Sequence, residues 1–171
     1  MVQAPLNPLT QPMTLEEFLQ MPETKPASEY IGGQIVQKPM PKGRHSRLQS
    51  KLCAVKSKLC AVINQAAEDE KIAYAFPELR CSFGGRSTVP DVAVFQWDRI
   101  PFTAEGEVPD NFNLAPDWTI EILSPDQRPN KVLGNILHCL EHGSHLGWFV
   151  DPDDLSILYF LQQQQPVLCQ A

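Results

Sequence analysis

Apolar positions recur along this chain with two different spacings, and the spacings mark its elements. Between Arg44 and about Asp69, Leu48, Leu52, Val55, Leu59, Val62 and Ala66 return at steps of three and four, the period of an amphipathic helix. Inside it, "SKLCAVK" at 50–56 is followed at once by "SKLCAVI" at 57–63. Seven residues are about two helical turns, so a duplication of this length extends a helix by about 10 Å and nearly preserves its buried face. It is a local duplication within one helix, since a coiled coil needs more heptads. "MTLEEFLQMP" predicts a short helix with Thr14 as N-cap, Glu17 three residues on and a stop before Pro22. Another helix is expected in "KVLGNILHCLEHG", ending at Gly143.

"YIGGQIVQKPMP" predicts two short strands folded about Gly32 and Gly33. Further strands are expected from "IAYAF" to about "ELRCSF", and in "VPDVAVF", "WTIEIL", "LGWFVDP" and "LSILYFL"; "FGGRS" is a turn. The segment 98–116 is polar and rich in proline, a long loop of the kind that often carries function. After the first helix and hairpin the order is helix, strand, strand, strand, helix, strand. That order predicts an α/β fold, or α+β with a mixed sheet. With 171 residues the chain accommodates one core: a Pro- and Gln-rich flexible arm at 1–12, a single domain at 13–162 and a C-terminal tail at 163–171.

Composition narrows the class. Hydrophobic residues make up 43% and charged residues 20%, which fits a globular domain and not a disordered one. No apolar run approaches the roughly 18 residues of a membrane span, so no membrane association is expected. The first residues lack the basic start and apolar core of a signal peptide. The five cysteines are odd in number and form no CxxC, which predicts free thiols in a reducing cytoplasm. The net charge is −6, yet Lys42, Arg44, Arg47, Lys51, Lys56 and Lys58 crowd into 42–60 with no acid among them. Arg44, Arg47, Lys51 and Lys58 fall close to one helical stripe. As phosphate contacts they would position a duplex without reading its sequence; the plainer alternative is a solvated helix face.

Two acids sit where apolar strands should exclude them. Asp91 follows Pro90 in "TVPDVAVFQW", and Glu121 lies between Ile120 and Ile122. A buried carboxylate without a partner costs several kcal/mol. Backbone amides or a strand cap would supply partners. Two carboxylates on neighbouring strands could instead share a divalent ion, and hard oxygen ligands suit Mg²⁺ or Mn²⁺. Lys131, at the start of the following helix, could reach back to the same place. "HCLEHGSH" offers His138, Cys139, His142 and His145, and the spacing of His138 and His142 would put two zinc ligands on one helical face. No second ligand pair lies at a suitable distance, and histidines near a helix C-terminus are favoured by its dipole alone. No serine elbow, phosphate-binding loop or dinucleotide fingerprint is present.

The motifs "EYIGGQIV", "HSRLQ", "VPDVAVF", "APDWTIEILSP" and "GWFVDP", in this order across residues 13 to 162, resemble the Uma-two group of restriction endonucleases within the PD-(D/E)XK superfamily. The resemblance implies a restriction-endonuclease-like αβββαβ core with an N-terminal helix and hairpin. It implies an endonuclease that hydrolyses DNA phosphodiester bonds with Mg²⁺ or Mn²⁺. Asp91 then matches the acid of "PD" and Glu121 the acid of the (D/E)XK half-motif, both as metal ligands. The lysine of that half-motif falls on Leu123, and Lys131 on the following helix is the candidate to replace it. Glu29 and Glu78 are candidate additional acids, and His45 and Gln49 are placed to line the site. DNA is the implied partner, and a homodimer the implied assembly. The alternative is a catalytically inactive nuclease-like module that binds DNA or protein, favoured by Leu123 and the acidic body of the chain.

Overall fold

The structure, a computed structural model, describes residues 13–37, 43–110, 112–124 and 127–170, and for residues 43–51 the backbone alone. The first helix, α1 (Leu15–Leu19), starts at the predicted cap: Thr14 Oγ1 accepts from the Glu17 N–H, and the Glu17 carboxylate accepts from the Thr14 N–H. A hairpin of β1 (Ser28–Ile31) and β2 (Gln34–Gln37) follows, with Ile31 opposite Gln34. Then come α2 (Gly43–Ala67), β3 (Ala73–Pro77), β4 (Cys81–Phe83), β5 (Arg86–Thr88) and β6 (Val92–Gln96). The chain ends with β7 (Trp118–Ile122), α3 (Pro129–Glu141), β8 (Leu146–Asp151), β9 (Ser156–Leu161) and β10 (Val167–Gln170).

Six strands form the main sheet in the order β10-β9-β8-β7-β6-β3. Only β7 and β8 run parallel, because α3 provides the crossover that a parallel pair needs; the other neighbours are antiparallel. The sheet is therefore mixed, and α2, β3, β6, β7, α3 and β8 reproduce the expected αβββαβ order. Helix α2 packs on β3 and β6, and α3 packs on β7 and β8. The strand alternation separates the two faces. Val92, Val94, Ile120 and Ile122 bury themselves with Leu52 and Cys60 of α2. Val132 and Ile136 of α3 pack with Phe149 and Phe160. Gly147 of β8 lets the helix approach closely: an added Cβ would lie 2.4 Å from Ile136 Cγ2.

Three local readings change. "FGGRS" is more than a turn. Gly84 and Gly85 both take positive φ, +55° and +73°, the conformation of a two-residue hairpin, and β5 leaves it paired with β4. This hairpin departs from the main sheet and joins the first one, giving a second sheet in the order β2-β1-β5-β4. The C-terminal segment read as a tail contains β10, paired along β9. The buried stripe of α2 is also rotated from the expected one. Leu52 and Cys60 are buried and Leu59 and Ile63 pack beside them, whereas Val55 and Val62 are 40% and 66% exposed. The stripe that faces the sheet thus runs through Leu52, Lys56, Leu59, Cys60 and Ile63.

Candidate functional site

The register of the main sheet sets the two strand acids side by side. Val92 pairs with Ile120, so one residue further out Asp91 stands across from Glu121. The Ile122 N–H donates to Asp91 Oδ2 at 2.8 Å, which ties the carboxylate to the end of β7. Glu29 reaches the same region from the second sheet: its Oε1 accepts from the Val89 N–H at 2.9 Å, two residues before Asp91. All three acids are buried. The fold has brought three carboxylates to one sheet end, each held by a strand or by a backbone amide.

Glu29 and Glu121 line a cleft of about 350 Å³ that α3 closes from the other side. The helix contributes Lys131, exposed in its first turn, with Arg128 and Gln127 just before it and Asn135 one turn later. Two acids therefore face two cations and two amides across one space. Leu123 is turned into the apolar cluster of α3 and β8, packed with Val132, Ile136 and Phe149. Leu123 offers the cleft no cation, and Lys131 of α3 is among the residues that line it. Near Glu121 lies the buried thiol of Cys139. Burial first, and then the nearby negative charge of Glu121, pushes its pKa to about 12, so it stays protonated.

Asp91 does not line this cleft. Its Oδ1 forms an ion pair with Lys56 Nζ at 2.8 Å, and the same ammonium lies 2.8 Å from Glu78 Oε1. Burial disfavours the charge of Lys56, but Asp91, and behind it Glu78, outweighs burial and raises its pKa above the ordinary 10.5. Glu78 itself is largely exposed, at a positive φ of 50° just after β3, and its N–H donates to the Asp91 carbonyl. The candidate residues thus divide into a cleft set, Glu29, Glu121 and Lys131, and a set behind it, Asp91, Glu78 and Lys56, joined through the ends of β6 and β7.

In the sequence Lys56 is one of the six basic residues between 42 and 60, with no role of its own. Its signal was its position, four residues after Leu52 and four before Cys60, on the stripe that packs against the sheet. Lys58 is exposed on α2. The side chains of Arg44, His45, Arg47, Gln49 and Lys51 lie outside the described residues, although their backbone belongs to α2.

The Uma2 family model, described as "Putative restriction endonuclease", matches residues 15–170. The chain belongs to the Uma2 family. Its fold is restriction-endonuclease-like, and it is similar to a solved structure from Anabaena variabilis, a "putative nuclease belonging to DUF820". The two chains are 52% identical, with a TM-score of 0.85 over 94% of this chain and 86% of that one. No curated protein matches the chain. Within this Uma2 fold all five cysteines are free thiols, two of them exposed, and no helix among the described residues is long and apolar enough to cross a membrane.

Proposed function

We propose that this Uma2 chain is a divalent-metal-dependent endonuclease that hydrolyses DNA phosphodiester bonds at the cleft between β7 and α3. The observation that carries the proposal is the convergence of Glu29, Glu121 and Lys131 on one cleft, with Asp91 behind it, across the β6–β7 register from Glu121. The donor set fits Mg²⁺ or Mn²⁺. It consists of carboxylate oxygens on rigid elements, and the Cys139 thiol near Glu121 is held protonated. Glu121, Glu29 and Asp91 would hold the ion, Asp91 and Glu29 through lone pairs beyond those given to backbone amides. A bound ion would polarise the scissile phosphate and lower the pKa of its water.

The chain's own residues do the positioning. Lys131 and Arg128 set positive charge opposite the acids, where a phosphate entering the cleft gains most from it. Gln127 and Asn135 offer amide donors to the same oxygens. Lys56 fixes the Asp91 rotamer from below and balances part of the charge of three neighbouring carboxylates. Lys58, exposed on α2, extends the phosphate-facing surface. A homodimer would present two such clefts to the two strands of a duplex.

Leu123 and the Lys56–Asp91 pair favour a second reading, a binding module without catalysis. One preparation separates the two. Supercoiled plasmid is incubated with the protein in EDTA, Mg²⁺ or Mn²⁺, and both nicking and duplex retention are scored. Nicking that needs the metal supports the nuclease; retention of duplex in EDTA with no nicking in either metal supports the module.

A further inference from the structure

The far end of α3 carries a group that the cleft does not use. His138, Glu141 and His142 gather there, with one ligand atom from each within 4.8 Å of the others. Helical spacing explains the gathering, since residues three and four apart are neighbours on one face. Lys131 lies eleven residues before His142, about 16 Å of helix rise away, so this place is separate from the cleft.

Both imidazoles are oriented by backbone carbonyls. His138 Nε2 lies 3.2 Å from the Phe83 carbonyl oxygen, and His142 Nδ1 lies 2.8 Å from the His138 carbonyl oxygen. A carbonyl oxygen only accepts, so each of these nitrogens carries the hydrogen and donates it. The neutral tautomers follow: His138 keeps its lone pair on Nδ1 and His142 on Nε2. A ring that donates one N–H to a carbonyl and leaves the other nitrogen bare is in the state that metal-binding histidines adopt. His138 is held further by stacking on Phe83, with centroids 4.9 Å apart and planes at 14°. A helix dipole would favour histidines here, but it does not set both tautomers.

Gly84, in the turn between β4 and β5, adds an independent observation. A Cβ at this position would lie 2.2 Å from Nε2 of His142, 2.5 Å from Cδ2 and 2.7 Å from Cε1. A point ahead of Nε2 in the ring plane would be much farther from the two carbons than from the nitrogen. The near-equal distances put the contact over the ring face. Gly84 therefore approaches the imidazole over its face and not along the Nε2 lone pair.

We propose that His138, Glu141 and His142 form a zinc site that clamps the C-terminal end of α3 to the β4–β5 turn. Two imidazole nitrogens and a carboxylate suit Zn²⁺, whereas Mg²⁺ prefers oxygen alone. Bond lengths of about 2.0–2.1 Å put zinc ligands about 3.3 Å apart, so the group must contract by roughly 1–1.5 Å. His142 and Glu141 are exposed and can supply that movement, while His138 stays fixed. Three protein ligands leave a fourth position for water.

The test titrates the full chain, with Mg²⁺ in excess to occupy the cleft carboxylates, with Zn²⁺ by calorimetry and with Co²⁺ by visible absorption, for wild type, His142→Ala, Glu141→Ala and Glu121→Gln. The expected result is a single Zn²⁺ per chain and the absorption of tetrahedral Co²⁺. Both should weaken at least about tenfold in His142→Ala and Glu141→Ala and stay unchanged in Glu121→Gln. Zinc should raise Tm in wild type and not in His142→Ala. The proposal is overturned if zinc in molar excess gives neither heat nor a Tm shift. It is equally overturned if His142→Ala binds zinc as wild type does, as it would were the exposed Cys53 and Cys169 the ligands.

Discussion

Replacing Lys56 by methionine keeps most of the side chain's volume and removes its charge. The two ion pairs it loses are unequal. Glu78 is 61% exposed, and a pair of that kind is worth about 0–1 kcal/mol. The Asp91 side chain is 5% exposed, and breaking a buried pair from one side costs about 3–5 kcal/mol because a charge is left in low dielectric. Asp91 keeps its bond from the Ile122 N–H, so the lower end applies, about 3 kcal/mol. In a domain of this size that lowers Tm by about 6–12 °C. The assay is urea denaturation of wild type, Lys56→Met, Asp91→Asn and the double variant near neutral pH. Lys56→Met should cost about 3 kcal/mol alone and about 1 kcal/mol or less once Asp91 is neutral, a coupling of about 2 kcal/mol. The sign with pH is fixed by the raised pKa of Lys56. The folded chain holds this proton more tightly than the unfolded one. The stabilisation is therefore complete below the ordinary 10.5 and is lost as pH climbs through the raised folded value. The difference between wild type and Lys56→Met should shrink on that alkaline side. Equal costs of Lys56→Met in both backgrounds would refute the reasoning.

Three further outcomes are expected. Lys131→Met should change stability by no more than about 0.5 kcal/mol, since the residue is exposed, while plasmid nicking falls about 10²–10³-fold; unaltered nicking removes Lys131 from the reaction. Gly147→Ala should destabilise by about 1–3 kcal/mol in a thermal melt, because its Cβ would meet Ile136 Cγ2 at 2.4 Å, and Ile136→Leu, which has no Cγ2, should recover part of the loss. Thr14→Ala removes the capping box of α1 and should cost about 1 kcal/mol with no change in nicking, since α1 lies away from the cleft; a larger loss would show that α1 supports the site.

The strand carboxylates were legible because their chemistry contradicts their setting. An acid between Ile120 and Ile122 demands a partner, as does Asp91 before Val92, and the β6–β7 register sets the two side by side. The order of elements was legible too, because long apolar runs and the helix period dominate them. The split into two sheets was not. The β4–β5 hairpin is three residues a side, and nothing in "CSF" or "RST" says that it pairs with β1 and not with its neighbours in sequence. Lys56 escaped for a related reason. Read as composition, it is one basic residue in a basic stretch. Read as position, it is the single difference between the two copies of the heptad, Lys56 in the first and Ile63 in the second. Both occupy the stripe that faces the sheet, and the copy nearer Asp91 carries the cation. Choosing Val55 and Val62 as the buried stripe turned the helix by about one residue and hid this. The meeting of Glu29 and Glu121 at one cleft depends on β1 pairing with β5 and on the Glu29 bond to the Val89 N–H, which no local pattern announces.

The most direct test of the central claim compares wild type with Glu121→Gln, purified side by side, for nicking of supercoiled plasmid in Mn²⁺ and for Mn²⁺ affinity. The amide keeps the shape of the side chain and removes the charge at the floor of the cleft. The account predicts metal-dependent nicking by wild type, its loss in the variant and weaker Mn²⁺ binding, with duplex retention preserved in both. Equal nicking by the two proteins, or Mn²⁺ bound equally well by both, would contradict it.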